Sequence, residues 1–356
     1  MPVLNPKALL ENRVTAIQDF HSSVGTKKAE LDVSGGIDSA VELGLVCMAL
    51  GARNVTAVYS DINSSDESRA RAEEVAAIFD VQLIVLELTE WYDDLVKMMI
   101  DAYVKSHTPQ APSGPEAWAS WESDFHEFHH KLRERIRKDP TILGSIRSCI
   151  RAPIGRGFNR IAGGGIRHGT GNECEDRWLR FYQKGGDGEV DCNPLAMLSK
   201  GEVYQLAVAL GIPSSIIAAK PSPDLWGKGE EAHNDEDELL TWAGAPFTYS
   251  RVDPLTGEYT KVGTIERVSR YADDWPGIFD PDVNSMEALV NGSHEHPALA
   301  PLPHDLRKLL LTSARRVERM TRHKWNPNCP SLGTREDLVD SGILTNTLPD
   351  LSGEED

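Results

Sequence analysis

The run Leu31-Asp32-Val33-Ser34-Gly35-Gly36-Ile37-Asp38-Ser39-Ala40 constrains this chain more than any other stretch. It joins an apolar strand end to an apolar helix carrying Val41, Leu43, Leu45, Val46, Met48 and Leu50, through a turn of serine and glycine. Two adjacent glycines allow torsions closed to other residues and let the backbone come close to a ligand. The free amides of the helix N-terminus then form an anion site. Ser34 and Ser39 add hydroxyl donors, and Asp38 puts a carboxylate where a phosphate-bound divalent cation would sit. The direct reading is a phosphate-cradling loop; the plain alternative is a strand-to-helix turn rich in small residues.

The surrounding pattern says what kind of sheet holds this loop. Residues 6–23 carry Leu9, Leu10, Val14, Ile17 and Phe20 at helical spacing. After the loop and its helix, Val55–Tyr59 reads as a strand, Asp66–Phe79 as a helix and Val81–Leu88 as a third strand. Such alternation predicts βαβ units and a parallel sheet flanked by helices, an α/β fold. Ligands then sit beyond the carboxyl ends of the strands, where the Ser34 loop and the polar turn Ser60–Ser65 both fall.

The rest is less regular. Residues 91–123 read as an insertion of helix and loop, and Asp124–Lys138 as a charged helix stopped by Asp139-Pro140. On it, His126 and His130 have a spacing that could bind metal, although a solvated or partner-facing helix is the simpler reading. A glycine-rich stretch leads to Gly163-Gly164-Gly165, and Ile166–Asp176 reads as a strand end opening into a polar loop. Ser199-Lys200-Gly201-Glu202 has capping-box spacing before a helix that ends at Gly211. Residues 229–240 are acidic, Phe247–Val252 and Glu258–Val262 suggest a hairpin, and a basic helix is expected near Asp305–Met320. The reading is one domain over 1–330, with insertions near 91–123 and 227–300, and a C-terminal tail over 331–356.

Composition removes several function classes. A formal net charge of -18 argues against nucleic acid as a partner, because phosphate backbones require a basic face. No apolar run approaches the roughly 18 residues of a membrane span, so a cytoplasmic protein without membrane contact is expected. The five cysteines stand apart without a CxxC pair, which speaks against a disulfide framework, a structural zinc or sulfur transfer to RNA.

The loop lacks the lysine of a kinase-type G-x-x-x-x-G-K-[ST] loop. S-G-G-x-D-S after a strand is instead the signature of ATP pyrophosphatases, which cut ATP between its α and β phosphates. Further segments follow in order: Gly169-Thr170-Gly171-Asn172-x-x-Glu175-Asp176, Lys184-x-Gly186-Asp187-Gly188-x-x-Asp191-x-Asn193-Pro194-Leu195, and Lys220-Pro221-Ser222-Pro223-Asp224-Leu225-Trp226. Near the end stand Arg315-Arg316-Val317 and His323-Lys324. Together they resemble the ammonia-dependent NAD synthetases over most of the chain, with a Rossmann-like sheet of the adenine nucleotide alpha hydrolase type.

That resemblance implies a ligase that uses ATP as co-substrate and Mg²⁺ as cofactor. The nicotinate carboxylate of deamido-NAD attacks the α-phosphorus, pyrophosphate leaves, and ammonia takes the acyl group from AMP. Carried over residue by residue, Asp32, Val33, Ser34, Gly35, Gly36, Ile37, Asp38 and Ser39 hold ATP. Thr170 contacts its AMP part, Lys200 and Ser222 its phosphates, and Asp38 and Glu175 bind magnesium. Lys184, Asp191, His323 and Lys324 face the dinucleotide, with Arg147 and Arg151 beside them, and Asp187 helps deprotonate ammonium. The family's A-R-x-R arginine is replaced by Cys149, its preceding asparagine by Ser145, and the aromatic after Lys184 by Gly185; Trp325 stands where a basic residue is usual. Another carboxylate substrate is therefore an alternative, and a catalytically silent nucleotide-binding protein a second. Glutamine-dependent members carry a large amidase domain, whereas about thirty residues precede the first strand here. Ammonia, free or from a separate glutaminase, is the expected donor, and a homodimer the expected assembly.

Overall fold

The computed structural model describes residues 5–106, 118–173, 175–176, 182–219, 247–252, 259–265, 278–279 and 332–344, with single positions 304, 308, 312 and 324. Helix α1 (Pro6–Val24) starts where Asn5 Oδ1 accepts from the Ala8 amide at 3.0 Å and Pro6 presets the first turn; Gly25 closes it with φ 74°. Strand β1 (Ala29–Asp32) follows, then α2 (Ile37–Leu50), β2 (Val55–Asp61), α3 (Asp66–Ile78) and β3 (Leu83–Glu87). The predicted βαβ pattern is therefore present, with strand and helix ends moved by one or two residues.

Three helices come next, α4 (Thr89–Ser106), α5 (Trp118–Arg137) and α6 (Pro140–Ile161), before the two-residue strand β4 (Ile166–Arg167). The strands form one parallel sheet in the order β3-β2-β1-β4, with Leu31 opposite Ala57 and Ala29 opposite Ile166. Helices α7 (Lys200–Leu210) and α8 (Ser214–Ile217) return to the sheet. The capping box at α7 is as predicted: Ser199 Oγ accepts from the Glu202 amide, and the Glu202 carboxylate accepts from the Ser199 amide at 2.8 Å. A second sheet, order β6-β5-β7, joins β5 (Phe247–Val252) antiparallel to β6 (Tyr259–Ile265) and β7 (Ile278–Phe279), so the expected hairpin is present and runs longer.

The main core packs α1, α2 and α7 on the sheet through Leu9, Ile17, Leu31, Leu43, Leu45, Val203 and Leu206. Helices α4, α5 and α6 hold a separate apolar cluster, including Tyr92, Val96, Ile100, Ile136 and Ile150, so the expected insertion begins as regular helix. The glycine-rich stretch is also helical up to Ile161. Gly155 is needed there because a Cβ would lie 1.6 Å from Arg167 Nη1, which passes directly over the helix. Residues 332–344, expected within the tail, form helix α9 (Arg335–Asp340) and bury Leu338 and Leu344 in the main core. The acidic run 229–240, Ser222, His323 and the tail after Leu348 lie outside the described residues; of the basic helix expected over 305–320, only Lys308 and Thr312 are described.

Candidate active site

The glycine–serine loop sits at the carboxyl end of β1, as the parallel topology requires. The Val33 amide donates to Val58 O at 2.8 Å, and the loop then leaves the sheet. Ser39 Oγ donates to Gly36 O at 3.0 Å and accepts from the Ser34 amide at 3.2 Å, so one hydroxyl holds both sides of the turn. Gly35 has φ 80°, and a Cβ would stand 2.1 Å from the Ser68 carbonyl of α3, so both torsion and space demand glycine. Arg71 Nε donates to Gly35 O at 3.0 Å and fastens the loop to α3. Gly36 caps α2 without a side-chain hydrogen bond, which leaves the helix N-terminus with no capping side chain.

Three elements bring charge to that mouth. Lys200 Nζ, at the first position of α7, lies 2.7 Å from Asp38 Oδ2 and 3.1 Å from Glu175 Oε1. Asn172 Nδ2 donates to Asp38 Oδ1 at 3.1 Å. The Lys200 side chain is only 5% exposed, so its ammonium is held between these carboxylates rather than in water. Next to them, desolvation and then repulsion from Glu175 and Asp187 hold the Asp176 carboxyl well above its usual range. It accepts from Asn193 Nδ2 at 2.6 Å.

A second group gathers at Asp187. Its Oδ1 accepts from Ser148 Oγ at 2.7 Å and from the Gln183 amide at 2.8 Å. Cys149 lies close by, its thiol pushed up by burial and then by the Asp187 charge. Lys324 Nζ donates to Tyr182 O at 2.8 Å; burial lowers this ammonium against the pull of Asp187. Lys184 is exposed, next to Gly185. Among the described residues no cluster of three His, Cys, Asp or Glu side chains forms a metal cage, the α5 histidines included. Among the same residues no helix is long and apolar enough to cross a membrane.

A family description, NAD synthase, matches residues 9–109 and 122–270. This chain belongs to the NAD synthase family. The family is one of carbon–nitrogen ligases, and its parallel, Rossmann-like sheet is the fold class expected. An NH(3)-dependent NAD(+) synthetase of Trichlorobacter lovleyi is 33% identical over 295 residues, 82% of this chain and 88% of that protein. One from Halobacterium salinarum is 30% identical over 289 residues, 81% of this chain and 89% of that one. The solved NMN synthetase of Francisella tularensis has a TM-score of 0.58 at 18% identity, over 91% of this chain and 99% of that chain. The NH3-dependent NAD synthetase of Campylobacter jejuni has a TM-score of 0.51 at 17% identity, over 91% and 98%. At these identities the two structures speak for the fold alone.

Within this NAD synthase fold, the residues read from sequence divide in two. Asp38, Glu175 and Lys200 converge, with Ser34, Gly35, Gly36, Ile37 and Ser39 forming the loop beside them and Thr170 on the loop that follows β4. Asp187 and Lys324 also share one neighbourhood. Arg147 stands over the Tyr92 ring at 5.9 Å, and both it and Arg151 act on the Tyr92 hydroxyl. Asp191 is engaged by Arg156 Nη1 at 2.9 and 2.8 Å and by the Arg167 amide at 2.8 Å. Burial opposes its ionisation, and these donors outweigh it, holding the carboxyl below its usual range. Ser148 was not singled out from sequence, and neither was the role of Asn172 inside the quoted Gly169–Asp176 motif; their position next to recognised residues was the available signal.

Asp32, at the loop's entry, belongs to a buried ionic layer. Arg167 reaches Asp32 Oδ2 and Glu30 Oε1, both at 2.5 Å. Burial raises the Glu30 carboxyl to about 7, with Arg167 pulling the other way. A carboxyl whose folded value exceeds its unfolded one stabilises the fold while protonated. Its contribution is full below about 4.5 and is lost as pH rises through about 7. A displacement of this size corresponds to roughly 3 kcal/mol. Denaturant unfolding of the wild type and of Glu30→Gln at pH 4.5 to 8 should therefore show the wild type losing that much relative to the variant. A gap independent of pH would mean that Glu30 is ionised throughout.

Proposed function

We propose that this chain amidates the nicotinate carboxylate of deamido-NAD with ammonia in two steps. The carboxylate oxygen attacks the α-phosphorus of ATP and pyrophosphate leaves. Ammonia then attacks the acyl carbon, and AMP leaves with the bond electrons. The observation that carries this reading is the convergence of Lys200, Asp38 and Glu175 beside a glycine–serine loop at a helix N-terminus. Such a mouth is matched to a polyphosphate and its counter-cation. Relatives at 33% and 30% identity, called NH(3)-dependent NAD(+) synthetases, support the same substrates here.

Two carboxylates already sharing one cation fit Mg²⁺, which takes a few carboxylate oxygens and completes its shell with phosphate and water. In this reading Asp38 and Glu175 would hold the ion, whose charge would offset that developing on the leaving pyrophosphate. Lys200 adds a fixed positive charge beside the phosphates, and the loop amides from Gly36 onward orient them. Asp187, held by Ser148 and the Gln183 amide, accepts the proton that ammonium must lose before its lone pair can attack. Lys184 and Lys324 face the dinucleotide, and Thr170 the AMP part. A homodimer, a cytoplasmic location and ammonia supplied free or by a separate glutaminase complete the proposal.

A second reading keeps the chemistry and changes the acid. It is favoured by Cys149 beside Asp187 and by the turning of Arg147 toward Tyr92, which alter the wall that meets the carboxylate. Purified protein given deamido-NAD, ATP, Mg²⁺ and ammonium should form NAD and AMP in equal amounts, read by chromatography. AMP formation only with some other acid would establish the second reading, and no AMP with any acid would leave a silent nucleotide binder.

A further inference from the structure

Behind the nucleotide mouth lies a string of buried polar groups that the proposed chemistry does not use. Glu42 Oε1 is 2.7 Å from His168 Nδ1, and His168 Nε2 is 2.9 Å from His21 Nε2. His21 Nδ1 is 3.0 Å from Thr26 O. Glu42, His168 and His21 are at most 2% exposed. The two imidazole centroids are 5.2 Å apart with rings 20° from coplanar. With nitrogens at 2.9 Å, that separation leaves about one ring radius at each end, so the rings meet edge to edge in line and do not stack face to face.

The tautomers follow from the partners. Thr26 O can only accept, so His21 Nδ1 carries hydrogen and, in a neutral ring, Nε2 accepts. His168 Nε2 must then donate, and in a neutral ring its Nδ1 accepts with Glu42 as donor. Every hydrogen bond points one way, from Glu42 to His168 to His21 to Thr26, with no net charge. Burial favours this state at both ends: it raises the Glu42 carboxyl, against the pulls of His168 and Arg13, and it lowers His21. Glu42 Oε2 has no partner among the described residues, which a neutral carbonyl oxygen tolerates far better than an anionic one.

The string ties together the two elements that carry the proposed magnesium ligands. Glu42 lies one turn after Asp38 on α2, hence on the same face. His168 lies four residues before Asn172, whose Nδ2 donates to Asp38. The loop from His168 to Asn172 thus runs antiparallel along α2 and is fastened at both ends, Glu42 to His168 and Asp38 to Asn172. The fastening matters because β4 pairs with β1 at only two positions, Ile166 and Arg167. We infer that Glu42, His168 and His21 are positioning residues, which set the Thr170–Glu175 loop against α2 and so fix the spacing of Asp38 and Glu175 for ATP bound with Mg²⁺. The inference rests on the reading of that mouth as the ATP and Mg²⁺ site, and is independent of which acid is amidated.

Calorimetric titration of the full chain with ATP and Mg²⁺ tests it. Glu42→Gln retains a donor to His168 Nδ1 and should bind within about threefold of wild type. Glu42→Leu removes the donor and leaves Nδ1 facing a methyl group; binding should weaken at least tenfold. His21→Leu breaks the far end of the string and should act in the same direction should Glu42→Leu fail to fold. In turnover the loss should appear in KM for ATP, with KM for the carboxylate substrate unchanged. A folded Glu42→Leu with a lowered melting temperature and wild-type ATP affinity would make the string a stability element only and overturn the inference. Equal damage in Glu42→Gln would also overturn it, since charge and not the directed hydrogen bonds would then be required. A wild-type chain that binds no ATP would remove the proposed function as well, an outcome distinct from the other two.

Discussion

Asp38→Asn should fold normally and lower kcat by about a hundredfold to a thousandfold, the scale expected when one preorganised charge is removed from a transition-state clamp. The side chain keeps its shape, and one end can still meet Lys200, whose ammonium also keeps Glu175 at 3.1 Å. What disappears is the negative charge shared with Glu175 at the mouth of the loop. Two carboxylates and one ammonium become one of each, so the site loses affinity for a divalent cation while remaining electrically tolerable when empty. The defect should therefore ease partly as Mg²⁺ is raised, and the melting temperature without ligand should change little. Steady-state rates of AMP formation across a Mg²⁺ series check this. Wild-type kcat at wild-type Mg²⁺ demand would take Asp38 out of the mechanism.

Arg335→Met should cost about 3–5 kcal/mol of stability, although Arg335 falls in the stretch expected to be a C-terminal tail. Its guanidinium meets Glu202 in a two-pronged pair, Nη1 to Oε2 and Nη2 to Oε1, both at 2.9 Å. Nη1 also lies 3.8 Å from Glu173 Oε2. Both glutamate side chains are 0% exposed, so removing the arginine strips two buried carboxylates of this cation. Breaking a buried pair on one side costs far more than the pair contributes when intact, because the remaining charge stays desolvated. For a chain of this size the loss corresponds to a melting temperature lower by roughly 4–7 °C. Glu202 closes the capping box of α7, whose first residue is Lys200, and Glu173 stands two residues before Glu175. Catalysis should thus fall along with stability. Adding Glu202→Gln to Arg335→Met should recover part of both; a single variant that melts within about 2 °C of wild type would show that the pair is dispensable.

The glycine–serine loop, the strand before it and the helix after it were legible from residues 31–50 because each obeys a local rule. Apolar period marks the strand and helix, paired glycines mark the turn, and the capping box at Ser199 announces α7 four residues at a time. The same rules gave the parallel sheet, since alternating strands and helices permit little else. Local rules failed where a residue answers to something far along the chain. Gly155 reads only as part of a glycine-rich stretch, yet it sits inside α6 and lets Arg167 through. Nothing near Asp191 in sequence announces its two-pronged pair with Arg156. Residues 332–344 carry too few apolar side chains to declare a core element; Leu338 and Leu344 join the main core, and Arg13 on α1 and Glu202 on α7 hold the segment through Leu332 O and Arg335. Sequence alone determined the glycine–serine loop between β1 and α2. Only the tertiary structure decided that Lys200 stands between Asp38 and Glu175, and that Glu42, His168 and His21 line up behind them. Such meetings leave no trace in spacing, because they are made where distant segments cross and where burial decides which protons stay.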